Sequence, residues 1–480
     1  MGRKTNFTTR TLITFLIMVV IITAPFSYTA AWSPDMRLTT DDGTDWDPSI
    51  TSTTDGEIWV VWRSDRMDND EIYYKVFNGS SWSNDTRLTW EPHYDSYPSV
   101  MQASDGTIWV VWSSYRNEHD LDLYYKVFDG SWSVDTRLTW ENHTDYYPSI
   151  MQASDGKIWV VWTSDRNEHD LDLYYKVFDG SWSDDTQLTT DLNTQDWGPS
   201  IMQASDGKIW IAFTKTTDTK HEDIYYKVFS GTEWSRDLRM TFDDKNSESH
   251  PSIMQASDGT IWVVWHSDRD VYENIYYRVR WINRTWSDPA KLTKYLADDM
   301  YPSITQTPDQ TIWVAWGSWR SGFTDIYYKI SYRDVAITEV TVPVDLVIRG
   351  ETISINVTAI NLGLETETFE VKCHANSTLV GSETISLDLN QTQSLTFQWN
   401  TTDFDSGKYN ISATAVAVPR EEKLYDNYLS DGLVEVCANV FDLSKAYGSE
   451  PGDPNWNLHC DFNKDNKIDA SDLFDLSKNY

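Results

Sequence analysis

The chain has 480 residues, 25 of them Trp and 27 Tyr, and a formal net charge of −35 at pH 7. Such acidity excludes nucleic acid and anionic lipid as natural partners, because phosphate contacts need a basic surface. The length leaves room for several domains, and helical patterns are scarce before about residue 436, which favours an all-β protein with aromatic packing between sheets.

The N-terminus reads as a secretion signal. Arg3, Lys4 and Arg10 precede an apolar run from Leu12 to Ile22, and Thr29-Ala30-Ala31 offers small residues for cleavage. Residues 1–31 are therefore expected to be removed. The mature chain would start at Trp32, without a membrane span, and be secreted or held at the cell surface. Nine Asn-x-Ser/Thr sequons (Asn78, Asn84, Asn142, Asn283, Asn356, Asn376, Asn390, Asn400 and Asn410) fit a glycoprotein. Three cysteines do not make a disulfide scaffold; Cys437 and Cys460 could pair, leaving Cys373 odd, or all could stay free.

From Trp32 to residue 333 one pattern recurs six times. Its clearest copy is MQASDGTIWVVW at 101–112, nearly unchanged at 151–162, with looser copies at Thr51, Ile201, Ile253 and Ile304. Each repeat reads as four strands. The first follows a proline (Pro48, Pro98, Pro148, Pro199, Pro251, Pro302), and an Asp-Gly turn leads into the second, Ile-Trp-Val-Val-Trp. That second strand is apolar at consecutive positions, as expected of a strand buried on both faces. The third carries a Tyr pair and the fourth runs from Trp-Ser to Arg-Leu-Thr, as in Trp132 to Thr139. No fourth strand follows the last Tyr pair, whereas one stands first, at Trp32 to Thr39. The expectation is a six-bladed β-propeller over 32–333, closed by its N-terminal strand. Ser104-Asp105-Gly106 with Trp109, and their equivalents, resemble the hairpins of sialidase-like (Asp-box, BNR-type) propellers, with the box compressed by two residues.

The near-identical Asp-Gly hairpins are assigned to turn chemistry. Variation concentrates on the opposite face. Near each proline stands a ring, at Trp46, Tyr97, Tyr147, Trp197, His250 and Tyr301, and acidic loops surround them. Rings that stack on sugars and carboxylates that accept hydroxyl bonds make these six the candidate ligand-binding residues. Arg66, Arg116, Arg166, Arg269 and Arg320 share one position beside acids and read as ion-pair partners rather than a substrate clamp. Every Tyr of the pattern recurs, so no nucleophile and no catalytic residue is singled out. His119 with Glu118, Asp120 and Asp122 is duplicated at His169 with Glu168, Asp170 and Asp172, which suits multivalent binding.

From Asp334 alternating apolar and polar residues predict an immunoglobulin-like β-sandwich over 334–436. Asn361-Leu-Gly363, Phe397 to Thr401, Gly407-Lys-Tyr409 and Asp426-Asn427 resemble the CARDB-type adhesion-related domain, which implies a spacer without catalysis. The last segment, 437–480, reads as a small α-helical, EF-hand-like module. Its loop DFNKDNKIDASD offers Asp461, Asn463, Asp465, Asp469 and Asp472 as side-chain ligands and Lys467 through its carbonyl, a spacing suited to Ca²⁺. Asn466 stands where the loop needs positive φ. The flanking echo, Val440 to Tyr447 and Leu473 to Tyr480, resembles a dockerin-type module with one calcium loop where dockerins have two. That resemblance implies a cohesin-like partner.

The expected protein is thus a secreted binding or adhesion protein whose propeller face takes glycans or surface proteins. The alternative is a glycoside hydrolase, which needs two carboxylates about 5–10 Å apart in a central pocket.

Overall fold

The computed structural model describes residues 32–437, apart from short loop segments (68, 117–119, 141, 167–169, 217–220, 244, 321, 332, 364–365, 389–390, 419–420 and 422–423), together with 449–451 and 466–467. The expected signal segment, the loop histidines His119 and His169, Cys460 and nearly all of the expected helical tail lie outside them. All described elements are strands.

Six antiparallel four-stranded sheets follow one another along the chain. Their inner strands are Asp45–Ser52, Asp95–Gln102, Asp145–Gln152, Gln195–Gln203, Glu248–Gln255 and Asp299–Gln306. The sixth sheet takes its outer strand from the N-terminus, with Met36 opposite Tyr328 and Arg37 opposite Tyr327. Three further contacts hold that strand: Trp32 bridges Ser331, and Ser33 Oγ and Thr39 Oγ1 accept the N–H groups of Ile330 and Ile326 at 3.0 Å. An otherwise bare sheet edge is thereby covered.

Burial explains the second strands. Val60, Val61 and Trp62 are fully buried, as are Val110, Val111 and Trp112, because each sheet packs a neighbour on either side. Between sheets the second-strand Trp lies flat on a third-strand Tyr and receives the fourth-strand Trp of the next sheet edge-on. Trp59 stacks on Tyr74 at 5.3 Å and meets Trp132 at 6.2 Å. Trp32 plays the same part against Trp262 at 6.4 Å.

Two girdles of hydrogen bonds close the ring. On each inner strand the serine after the proline accepts the N–H of the next sheet's inner strand: Val100 to Ser49, Ile150 to Ser99, Ile201 to Ser149, Ile253 to Ser200 and Ile304 to Ser252, at 3.1–3.2 Å. Ile50 to Ser303 at 3.1 Å completes the circle. At the hairpin end, Gln102, Gln152, Gln203, Gln255 and Gln306 accept the N–H of Thr54, Ser104, Ser154, Ser205 and Ser257 at 2.6–2.8 Å. At the sixth junction Pro308 has no N–H to offer. There Ser52 replaces the glutamine and donates instead to the Gln306 carbonyl at 2.6 Å. The Asp-Gly hairpins are turns: Gly106 has φ 89°, and Asp105 Oδ1 accepts Thr107 N at 3.0 Å.

Beyond residue 333 a three-stranded sheet (Val335–Thr341, Thr352–Asn361, Thr392–Asn400) faces a five-stranded one (Leu346–Ile348, Tyr428–Cys437, Gly407–Ala415, Glu367–Ala375, Thr378–Leu387). They enclose one core around Trp399, Phe397, Phe369 and Ile355. Asn361 is buried there, its Nδ2 donating to the Leu387 carbonyl and its Oδ1 accepting Gly363 N. Cys373 and Cys437 are free and buried, and burial pushes their thiols up to about 12 and about 11.

Candidate binding site at the ring centre

Each inner strand breaks register at its proline, between Trp46 and Ser49 in the first sheet and at the equivalent points in the other five. Proline cannot donate to the ladder, so the strand bulges there. The residue before the proline takes a left-handed backbone every time: Asp47 φ 52°, Tyr97 54°, Tyr147 51°, Gly198 59°, His250 53° and Tyr301 55°. Such a conformation is rare for non-glycine residues and costs about 1–3 kcal/mol at each of the non-glycine sites. Here it brings six side-chain positions together around one central depression, lined by these residues and the Pro-Ser pairs that follow them.

Six equivalent backbone positions thus carry unlike chemistry. Four of the six sequence candidates, Tyr97, Tyr147, His250 and Tyr301, line the depression. Trp46 and Trp197 sit one residue earlier in their strands and back the lining. Trp197 lies 4.5 Å from His250, and Trp46 lies 5.8 Å from Tyr301 in the space left by Gly317. The positions equivalent to Tyr97 are Asp47 and Gly198, which a search for rings passes over. Counting back one residue from each proline would have found both. The rings form an almost continuous chain, Tyr97 to Tyr147 at 4.1 Å, Tyr147 to His250 at 5.2 Å and His250 to Tyr301 at 4.4 Å.

Among the lining residues Asp47 is the carboxylate, and it stands beside Arg63. Arg63 Nε lies 3.4 Å from Asp47 Oδ2, its Nη1 lies 3.2 Å from Asp70 Oδ2, and its guanidinium stands 5.9 Å over the Tyr97 ring. Burial outweighs the Arg63 charge and pushes Asp47 up to about 6. Burial also raises the phenols of Tyr97, Tyr147 and Tyr301, so all three remain donors at neutral pH. His250 is driven well below the ordinary imidazole value by burial and by His266, stacked 4.9 Å away. His266 itself is lowered by burial to about 3. Its Nε2 meets Ser249 Oγ at 2.9 Å and its Nδ1 accepts Tyr301 N at 3.3 Å. His250 has no such satisfaction. Both its ring nitrogens, and Asp47 Oδ2, are buried without a hydrogen-bond partner. Unpaired buried polar atoms are costly, and at a cleft they are what a ligand hydroxyl would satisfy.

The recurrent arginines take no part. Arg66 pairs with Asp45 at 3.0 Å and Asp85 at 2.7 Å; Arg116, Arg166 and Arg320 repeat the arrangement, Arg269 pairs with Glu248, and Lys215 replaces the arginine in the fourth sheet. Each neutralises a buried acid within its own sheet. No cluster of three or more metal-binding side chains occurs among the described residues. Of the expected calcium loop, Lys467 and Asn466 alone are described, and Asn466 has φ 66°.

No protein-family model matches the sequence, and no curated protein matches it. Among solved structures the chain is similar to a protein of unknown function from Dyadobacter fermentans, at 14% identity and TM-score 0.53 over 62% of this chain and 98% of that one. It is also similar to Penicillium chrysogenum α-L-arabinanase complexed with arabinobiose (12% identity, TM-score 0.49, 63% and 96% covered). A third likeness is to a CARDB domain from Pyrococcus furiosus in complex with di-metal ions (27% identity, TM-score 0.20, 22% and 96% covered). The first of these likenesses concerns fold alone, and six successive four-stranded sheets joined into a ring have the architecture of a β-propeller.

Proposed function

We propose that this chain is a secreted or cell-surface binding protein whose six-bladed propeller captures a hydroxyl-rich ligand, such as the end of a glycan, in the central depression. An immunoglobulin-like sandwich would space the propeller from a calcium-ordered C-terminal module. The observation that carries the reading is the convergence of Asp47, Tyr97, Tyr147, His250 and Tyr301 on one axis, with both ring nitrogens of His250 left without a hydrogen-bond partner. Aromatic walls with a few placed polar groups are the composition of a small-ligand site. At neutral pH His250 is an uncharged imidazole, suited to exchange hydrogen bonds with a hydroxyl rather than to pair with an anion.

Hydrolysis is the reading this site supports less. Among the described lining residues Asp47 is the carboxylate, and Asp70 stands behind it across Arg63, whereas a glycosidase sets two acids on either side of the bond. The test is equilibrium binding of the full chain to a glycan array, followed by titration of the best ligand. His250→Ala and Asp47→Asn should each weaken binding about tenfold or more, with Tm little changed. Unchanged affinity in both variants would exclude the central site. New reducing ends released from a bound glycan would move the reading to hydrolysis.

For the tail, we propose one Ca²⁺ held by Asp461, Asn463, Asp465, Asp469, Asp472 and the Lys467 carbonyl. The left-handed Asn466 supports a loop of that shape. Calorimetry of the full chain should give a stoichiometry of about one, abolished by Asp465→Ala. A cohesin-like protein as partner of this module is part of the same proposal, tested by calcium-dependent capture.

A further inference from the structure

A second aromatic feature lies away from the axis, on the rim of the same face. Trp90 is 71% exposed and Trp140 67%, unusual for the largest apolar side chain. Both directly follow the Arg-Leu-Thr strand, at the position occupied by Thr40, Thr190, Phe242 and Lys294 in the other sheets. One face of each ring is covered. The Arg87 guanidinium stands 4.5 Å over Trp90, and that of Arg137 stands 4.6 Å over Trp140.

Those arginines are themselves fixed. Arg87 Nε donates to the Thr89 carbonyl at 2.6 Å while its Nη2 pairs with fully buried Glu71. Arg137 repeats this with the Thr139 carbonyl at 2.7 Å and fully buried Asp122 at 2.7 Å. A buried acid orients an arginine, and the arginine orients a tryptophan whose other face is open to solvent. The ring is held ready before any ligand arrives, so little side-chain entropy is lost when something stacks on it.

The occupant follows from the surroundings. Each tryptophan has an exposed polar residue close by in the chain, Glu91 or Asn142, able to hydrogen-bond to a hydroxyl-rich ligand. The charge of −35 disfavours an anionic ligand. A flat, open ring with hydrogen-bonding neighbours matches the apolar face and hydroxyl edge of a pyranose. Nearly all exposed large apolar side chains of the six sheets lie on this face, Val134 and Ile282 being exceptions.

We propose that Trp90 and Trp140 are stacking platforms for the sugar rings of a neutral polysaccharide, forming a peripheral site on adjacent sheets that is independent of the central depression. Two weak platforms on one rigid ring bind a polymer with avidity. The test is electrophoresis of the full chain through gels containing mannan, xylan or mixed-linkage β-glucan, with tryptophan emission recorded on titration. Retardation in at least one gel is expected, weakened about tenfold by Trp90→Ala or Trp140→Ala and abolished in the double variant, at unchanged Tm. Ligand should shift the emission of the wild-type chain to the blue, and the double variant should lose that shift. His250→Ala should leave the retardation intact, which separates this site from the central one. A wild-type chain unretarded in all three gels, or a double variant retarded as strongly as wild type, would overturn the proposal.

Discussion

At the scale of the residue, the repeat changes character wherever one position must differ between sheets. The pre-proline residue has the same backbone six times and several different side chains, and Gly198 is the one that brings no side chain to the lining. A Cβ built there meets nothing nearer than His250 Cδ2 at 3.8 Å, so the space is open although φ is 59°. Gly198→Tyr should therefore fold, at a cost of about 1–2 kcal/mol for the left-handed backbone, and should cover His250. The expected result is a small drop in Tm with a large loss of central-site affinity by calorimetry; intact affinity would mean the ligand sits elsewhere. Asp47 was legible only in part. Its identity is plain in the sequence, but its role depends on burial beside Arg63, sixteen positions later in the chain and in the neighbouring strand.

At the scale of the element, Pro-Ser-Ile and the glutamine of MQASDG acquire a reason. Neither is explained by strand propensity or by the turn. Both serve the neighbouring sheet, the serine as acceptor for a buried N–H and the glutamine as acceptor for a turn N–H. Ser99→Ala leaves Ile150 N without an acceptor, which should cost about 1–3 kcal/mol. Chemical denaturation would show it as a lowered midpoint with unchanged slope, and no change at all would mean that the girdle is not under load. The Asp-Gly turn behaves as its sequence indicates, because its hydrogen bonds are local: Asp105 to Thr107, Gly106 to Ala103.

At the scale of the whole molecule, closure and charge dominate. The N-terminal strand completes the sixth sheet and places Asp35 where Arg320 and Lys329 pair with it. Deleting residues 32–39 should expose the edge of Asp325–Ile330 and leave a chain that aggregates or melts early. A peptide of that sequence added in trans should restore Tm, and a truncated chain as stable as the parent would show that the strand is dispensable. Several buried acids are raised by desolvation, Asp45 and Asp122 to about 6, Asp196 and Glu248 to about 7. In the window between the ordinary carboxyl value and 6–7 the folded state holds more protons than the unfolded one. Stability then falls as pH rises through that window. His250 and His266 oppose this, since neutral buried imidazoles lose stability as pH falls below 6.5. The acids outnumber them, so Tm should be higher at pH 5 than at pH 8; the reverse order would mean these acids are ionised without penalty.

The sequence by itself determined the repeat, the four strands of each unit, the strand that closes the ring and the turn at each Asp-Gly, because these rest on periodicity and local backbone chemistry. It also brought forward Tyr97, Tyr147, His250 and Tyr301 as candidates. Only the tertiary structure decided which residues share the axis. The bulge at each proline turns one residue per sheet inward, and residues about fifty apart in sequence become neighbours only when the ring closes. The same holds at the rim, where Trp90 looks like any strand-end tryptophan until burial of Glu71 and the reach of Arg87 fix one of its faces and leave the other to solvent.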